Sequence, residues 1–222
     1  MIKKIIPVIT LDGPAASGKG TISKILSKDL NLMHIETGLF YREIAKQFLK
    51  FNNPLNIENN LNQLKIKKFD FIKLNKKNLY EEKISELSSV LAKNKEIRKY
   101  IVNEQKNLIN KSNIKQNGIL LEGRDCGTVI APEADVKIFI TASLEERVKR
   151  RFNQIKTKFP DVKYEKIFND VKERDDRDTN RENSPLKPAT DACILDSSAF
   201  SIDETINIVK KQIFSKLSYL KK

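Results

Sequence analysis

The sequence predicts an α/β fold in which a parallel sheet carries helices on both faces. Short, nearly continuous apolar runs of strand length recur along the chain, as strands buried on both faces require. Segments with helical spacing lie between them, and strands that alternate with helices imply parallel pairing. The first strand also runs directly into a glycine-rich loop and then a helix. At 222 residues the chain fits one domain of ordinary α/β size with small insertions.

The elements follow in order. Residues 5–11 (Ile-Ile-Pro-Val-Ile-Thr-Leu) are expected to form the first strand. Gly13 to Gly20 interrupts, and Thr21 to Leu30 then shows helical spacing through Ile22, Ile25, Leu26 and Leu30. Met33–Ile35 reads as a second short strand, ending at Glu36-Thr37-Gly38, with a helix from about Leu39 to Leu49. Residues 52–63, rich in Asn and interrupted by Pro54, are expected to be a loop. A hairpin is expected over 66–80, with Phe69, Phe71 and Ile72 in its first arm and Asn75–Asn78 at its turn. One helical region is expected from about Ser85 to Lys111. Gly118–Leu121, Val136–Thr141 and Ala192–Leu195 read as strands. Helices are expected over Ser143–Lys158, Tyr164–Arg174 and Ile202–Leu217, the last starting on a capping box of Ser201 and Glu204. There are no repeats and no second compact domain. The core is expected in 1–37, 116–149 and 186–222, with an insert over about 38–115 and a charged segment over about 150–185.

Composition narrows the function classes. The apolar fraction of 39% still leaves periodic blocks of Ile, Leu, Val and Phe, which excludes wholesale disorder. The net charge is +13, but 33 of the 42 basic residues are Lys spread over most of the length, beside 20 Asn. That bias reads as compositional drift of an AT-rich genome, so no nucleic-acid partner is expected. A nucleic-acid-binding protein stands as the rival of a different class, predicting steeply salt-dependent oligonucleotide binding. Eight of the nine Arg lie near the motifs below. Cys126 and Cys193 are far apart, no CxxC pair exists, and His34 is the only histidine. Neither a disulfide framework nor a metal site of the protein's own is expected. The first apolar run is too short for a signal-peptide core, and no apolar stretch is long enough to span a membrane. A reduced, cytoplasmic location without a membrane partner is the expectation, and nothing demands more than a monomer.

Gly13-Pro14-Ala15-Ala16-Ser17-Gly18-Lys19-Gly20-Thr21 carries the first chemical signal. A phosphate needs many donors in a small volume, and glycines let backbone N–H groups turn inward around the anion. The helix that follows points its positive end at the same spot. Lys19 can reach the β- and γ-phosphates as a point charge. Gly20 stands where Ser or Thr is usual, with Thr21 one residue later, so direct Mg²⁺ ligation by a loop hydroxyl is not assigned. A GTPase would carry an N-K-x-D motif, which is absent.

Two segments at strand ends supply an acceptor site: Thr37-Gly-Leu-Phe-Tyr-Arg42 and Glu122-Gly-Arg-Asp-Cys-Gly-Thr128. Open α/β sheets build ligand crevices at carboxyl ends of strands, and an Arg beside glycines suits a phosphate dianion. Glu173-Arg-Asp-Asp-Arg-Asp-Thr-Asn-Arg181 adds three arginines able to neutralise charge on transferring phosphates. A solvated charged helix face is the plainer reading of that segment.

These motifs, with Ser88–Arg98 and Leu186–Ser198, make the chain resemble the bacterial cytidylate kinases, which belong to the P-loop nucleoside monophosphate kinases. The resemblance covers nearly the whole length. It implies a P-loop NTPase-type parallel sheet with a monophosphate-binding insert at 38–115 and a mobile lid at 150–185. It implies transfer of the γ-phosphoryl group of ATP, arriving with Mg²⁺, to CMP and dCMP. UMP or AMP as acceptor is the alternative within the same class. By the resemblance, ATP is held by Gly13, Pro14, Ala15, Ala16, Ser17, Gly18, Lys19, Gly20 and Thr21, with Arg150 at the start of the lid. Ser89, Arg98 and Asp125 would read the cytosine, Arg174 and Asp178 hold the ribose, and Arg42, Arg124 and Arg181 hold the monophosphate. Thr37 stands where Ser is frequent and keeps the hydroxyl; Glu122 stands where Asp is usual and is one methylene longer. Lys19, Arg124, Arg174 and Arg181 are the expected catalytic groups. Arg147 and Arg151 are expected to pair with neighbouring Glu residues, and His34 to be a strand residue outside the chemistry.

Overall fold

The computed structural model describes residues 6–66, 78–111, 115–157 and 159–221. Five strands form one sheet: β1 (Val8–Asp12), β2 (Leu32–Glu36), β3 (Gly118–Gly123), β4 (Val136–Thr141) and β5 (Cys193–Asp196), in the order β2-β3-β1-β4-β5. β1 pairs in parallel with β3 and β4, and β4 with β5. β1 and β4 are covered almost end to end, which is why they read as unbroken apolar runs. Asp12 is level with Gly123 on one side and Phe139 on the other. The loops after β1, β3 and β4 therefore leave the same edge of the sheet, beside the point where the strand order reverses.

Eight α-helices are described: α1 (Lys19–Asp29), α2 (Gly38–Phe48), α3 (Ile57–Ile66), α4 (Glu82–Leu91), α5 (Lys95–Lys111), α6 (Leu144–Lys156), α7 (Tyr164–Asn180) and α8 (Ile202–Lys216). The chain divides into two compact units, one of Met1–Ile35 with Lys111–Lys222 and one of Glu36–Asn110. In the first, Ile9 and Leu11 of β1, Ile138 and Ile140 of β4, Leu26 of α1, and Val209 and Ile213 of α8 form the main core. A separate small cluster, Val148, Ile167 and Val171, joins α6 to α7. In the second unit α2 packs against α4, and Phe40, Ile44 and Phe48 of α2 are buried. Among the described residues no helix is long and apolar enough to cross a membrane.

Caps explain most helix limits. Ser201 and Glu204 close the expected capping box, Ser201 N donating to Glu204 Oε2 (2.8 Å) and Glu204 N to Ser201 Oγ (3.2 Å). Ser143 starts α6 by accepting from Glu146 N at 3.2 Å.

Three expectations are corrected. Residues 52–63 are not all loop: α3 starts at Ile57 because Leu61 and Leu64 fall on one buried stripe, and Asn56 Oδ1 accepts from Asn59 N at 3.4 Å. The helix expected over 85–111 is two, separated at Ala92–Asn94. Asn94 Oδ1 accepts from Glu96 N (3.0 Å) and Ile97 N (3.1 Å), capping a new helix rather than continuing the old one. α7 does not stop at Arg174 but runs to Asn180, its inner face continuing from Ile167 and Val171 to Asp178. Of the hairpin expected over 66–80, residues 67–77 lie outside the described residues; Ile66 ends α3. Cys126–Ile130 forms a π-helical turn that nothing in the sequence announced, with Val129 N (2.9 Å) and Ile130 N (3.2 Å) both donating to Asp125 O.

Candidate active site

The glycine-rich loop leaves β1 in a conformation other residues resist. Gly13 has φ +152°, and a Cβ there would stand 2.0 Å from the Ile140 carbonyl oxygen. Ala16 adopts a left-handed φ of 58° despite its side chain, and Gly18 (φ 88°) opens α1. Lys19 folds back under the loop, its Nζ donating to Pro14 O at 2.6 Å. Burial drives its pKa well below the usual lysine range; the nearby Arg124 and Arg174 push the same way, while Glu122 and Asp178 oppose them. Burial thus disfavours the protonated amine of Lys19, and an anion bound beside it would oppose that shift.

Asp12 ties the loop after β3 to the end of β1. Its two carboxylate oxygens accept from Cys126 N (2.9 Å) and Gly127 N (2.8 Å). Burial raises its pKa, against the two backbone donors. Gly127 permits this approach, since a Cβ there would meet Thr10 Oγ1 at 2.9 Å. The π-helical turn follows immediately and fixes where Arg124 and Asp125 leave the strand. Sequence reasoning missed Asp12; an acid at the end of a buried strand, just before the phosphate loop, was the available signal.

Around Asp178 the first unit gathers its arginines. Arg124 Nε donates to Asp178 Oδ2 at 3.0 Å, and Arg124 Nη1 to Gly123 O at 3.2 Å. Arg181 Nη1 lies 3.7 Å from Asp178 Oδ1, and its Nη2 lies 3.9 Å from Asp125 Oδ1. Burial would raise the Asp178 pKa, but Arg124, Arg174 and Arg181 together outweigh it and hold the carboxyl below its ordinary value. Five of the expected residues, Arg124, Asp125, Arg174, Asp178 and Arg181, therefore converge here, and Arg124 and Arg174 also face Lys19.

Glu122 turns to the other side of β3. Its Oε2 pairs with His34 Nε2 of β2 at 2.9 Å, and its Oε1 lies 3.2 Å from where a Cβ on Gly20 would be. The carboxylate thus stands beside Gly20, where a phosphate loop usually carries a hydroxyl side chain. His34 is a partly buried residue of β2, as expected, and its ring is hydrogen-bonded to Glu122.

α6 and α7 bring further groups. Arg150 donates from Nε to Glu146 Oε1 (3.0 Å), from Nη1 to Ser197 Oγ (3.1 Å) and from Nη2 to Ser197 O (2.7 Å). Its Nη1 is 3.8 Å from the position of a Cβ on Gly18. Arg147 was expected to pair with a neighbouring Glu and does not. It is buried and bonded to Asp175 of α7, to Ala142 O (2.9 Å) and to Ala15 O (3.1 Å), because its place on the inner face of α6 aims it at the loop. Arg151, expected to do likewise, donates to Gln154 Oε1 at 2.9 Å.

The second unit positions its own set. Arg42 Nη1 donates to Leu79 O (2.9 Å) and Ser85 Oγ (2.5 Å), and its guanidinium lies 5.1 Å from the Tyr80 ring centre. Arg98 is buried, donates to Ala92 O at 3.0 Å and lies over Tyr41 at 5.5 Å. Thr37 is buried at the start of α2, its carbonyl accepting from Gln105 Nε2 at 3.2 Å; Ser89 is half-buried on α4. Gln105 was another residue the sequence did not single out. Among the described residues no group of three or more His, Cys, Asp or Glu side chains is placed to hold a metal ion.

Comparison with known proteins bears on the family and the fold. A family profile described as "Cytidylate kinase" matches residues 9–215. A protein named cytidylate kinase in Bartonella tribocorum is 41% identical over 201 residues, covering 90% of this chain and 91% of its own length. One of the same name in Carboxydothermus hydrogenoformans is 39% identical over 212 residues, covering 89% and 93%. Among solved structures, an uncharacterized protein from Eubacterium ventriosum superposes with a TM-score of 0.55 at 13% identity, covering 94% of this chain and 99% of the other. That last likeness speaks for the fold alone.

Proposed function

The chain belongs to the cytidylate kinase family, and from that premise we infer that it moves the terminal phosphoryl group of ATP to CMP, giving ADP and CDP. The observation that carries the reading is the family match over residues 9–215, which takes in both the phosphate loop and the arginine cluster. An oxygen of the CMP 5′-phosphate bonds to the γ-phosphorus as the bond from that phosphorus to the bridging oxygen breaks, and ADP leaves with that oxygen. A phosphate dianion is already nucleophilic, so no strong general base is needed; positioning and charge neutralisation carry the rate.

Residues 13–21 cradle the triphosphate. Ser17 Oγ is buried without a hydrogen-bond partner among the described residues, which supports a phosphate oxygen as its missing acceptor. Lys19 neutralises the β- and γ-phosphates, and Arg150 flanks them. Arg124, Arg174 and Arg181 neutralise the charge that spreads over the transferring group. Arg98, Asp125 and Ser89 read the cytosine edge, where an arginine and an acid complement its acceptors and amino donor. Arg174 and Asp178 hold the ribose, and Arg42 the monophosphate, with Thr37 beside it. Residues 38–115 serve as the monophosphate-binding insert and 150–185 as a lid that excludes water.

Magnesium is part of this reading. The donor set fits an ion that brings most of its oxygen ligands as phosphate and water, since Glu122 sets a carboxylate beside Gly20 and Thr21 follows. Glu122 and Thr21 would hold it, directly or through water. The ion would draw charge from the β- and γ-phosphate oxygens. Deoxycytidine monophosphate is a second acceptor in the same reading, and the enzyme acts as a cytoplasmic monomer. The test is ADP production measured with CMP, dCMP, UMP and AMP separately. CMP and dCMP should be preferred; preference for AMP would overturn the base-reading roles of Arg98 and Asp125.

A further inference from the structure

The side chains of Arg147 and Asp175 hold neither phosphate nor acceptor in the phosphoryl transfer just described. Ala15 N donates to Asp175 Oδ1 at 3.1 Å, and the carbonyl of the same Ala15 accepts from Arg147 Nη1 at 3.1 Å. Arg147 also donates to Asp175, so loop, α6 and α7 close a ring of hydrogen bonds on a single residue. Arg147 Nε is held in turn by Ala142 O, at the end of β4. Side-chain exposure is 9% for Arg147 and 17% for Asp175, and a partly desolvated ion pair whose members are each held by further backbone hydrogen bonds is worth more than a surface ion pair.

The place of the ring matters. Ala15 precedes Ala16, whose left-handed backbone is unfavourable for an alanine, so the loop sequence does not favour this corner. Contacts from outside the loop have to hold it. Asp175 also adjoins Arg174 and sits one helical turn before Asp178. The bond that pins Ala15 therefore also sets the rotation of α7, and with it the groups that face Lys19.

We infer that Arg147 and Asp175 form a latch that keeps the phosphate loop in its binding shape and indexes α7 to it. Both are positioning residues and touch neither substrate. The inference rests on residues 13–21 being the ATP site.

ATP binding to the whole chain, measured by calorimetry without an acceptor, is the test, on Asp175→Ala, Asp175→Asn, Arg147→Ala and Arg147→Lys. Asp175→Ala and Arg147→Ala should each weaken ATP binding by about 10- to 100-fold, or about 1.4–2.8 kcal/mol. The double variant should be no weaker than the worse single one, as for two groups acting as one unit. Asp175→Asn keeps an acceptor for Ala15 N–H and should recover part of the affinity. Amide hydrogen exchange at Ala15 and Ala16 should quicken at least about tenfold in the alanine variants, at temperatures where they remain folded. If Asp175→Ala fails to fold, Asp175→Asn and Arg147→Lys supply the same readouts. ATP affinity within about twofold of the parent in both positions, whatever happens to Tm, would overturn the latch. Failure of the parent chain to bind ATP would instead overturn the site reading, and hydrogen exchange would still judge the latch.

Discussion

Replacing Gly13 with alanine tests the packing beneath the phosphate loop. The added Cβ would stand 2.0 Å from the Ile140 carbonyl oxygen, 1 Å inside the closest distance at which real Cβ atoms are found. Ile140 is bound into the pairing of β4 with β5, so its backbone can yield only by breaking register with Leu195. Overpacking of this kind costs about 1–3 kcal/mol, and alanine at φ +152° adds about 1–3 more. A loss near 4 kcal/mol lowers the Tm of a chain of this length by about 8–16 °C. Two other glycines calibrate the effect. At Gly18 the nearest atom to a Cβ is 3.8 Å away, so only the left-handed φ of 88° is charged, about 1–2 kcal/mol. At Gly38 nothing lies within 4 Å and the residue is helical, so alanine should gain up to about 1 kcal/mol. Thermal denaturation of the three variants should therefore rank Gly38→Ala at or above the parent, then Gly18→Ala, then Gly13→Ala. A Gly13→Ala protein as stable as Gly18→Ala would refute the reasoning.

Lys19→Met should lower kcat at least about 1,000-fold, and near-normal turnover would remove Lys19 from the chemistry. Because the Lys19 pKa is depressed in the free protein and phosphates raise it, ATP binding should take up protons between the two values. Calorimetry in buffers of different ionisation enthalpy, repeated across the pH range below the ordinary lysine pKa, reads this uptake, and Lys19→Met should abolish it. For the same reason the unfolded chain holds this proton more tightly than the folded one, so Lys19 makes the nucleotide-free protein more stable as pH rises through that window. Asp178 has the same sign in the acid range: its lowered pKa contributes stability that is fully present above the unfolded value near 3.8 and is lost as pH falls through the folded one. Denaturant titrations of Asp178→Asn should show a flatter acid limb than the parent. Arg98→Ala should raise the KM for CMP by about 10- to 100-fold with little change in the KM for ATP; equal changes in both would refute a base-reading role.

Sequence patterning disclosed the sheet because buried strands write themselves as apolar runs: Val136–Thr141 was readable to the residue. The phosphate loop was legible because backbone geometry demands glycine at Gly13 and Gly18. α3 was obscured by its own solvent side, where Asn59, Asn62 and Gln63 mask the Leu61–Leu64 stripe. The break at Asn94 depends on a side chain that could equally have faced solvent within a helix. Asp125, Asp178 and Arg181 were legible as motif members, yet Arg147 with Asp175 was not, since charges 28 residues apart have no periodic signature. Which acid an arginine chooses is decided by the packing of α6 on α7, through Val148, Ile167 and Val171, and not by the local spelling of either helix.

The shared rung of Asp12, Gly123 and Phe139 works as a datum line for everything mounted beyond it. Deleting one residue from β1, β3 or β4 would retract the following loop by about 3.3 Å and turn its side chains to the opposite face. Lengthening the turn between α6 and α7 would disturb neither the strand ends nor their register. Tolerance to insertion and deletion in this chain is therefore directional: generous at the far ends of its helices, and close to zero along three short strands.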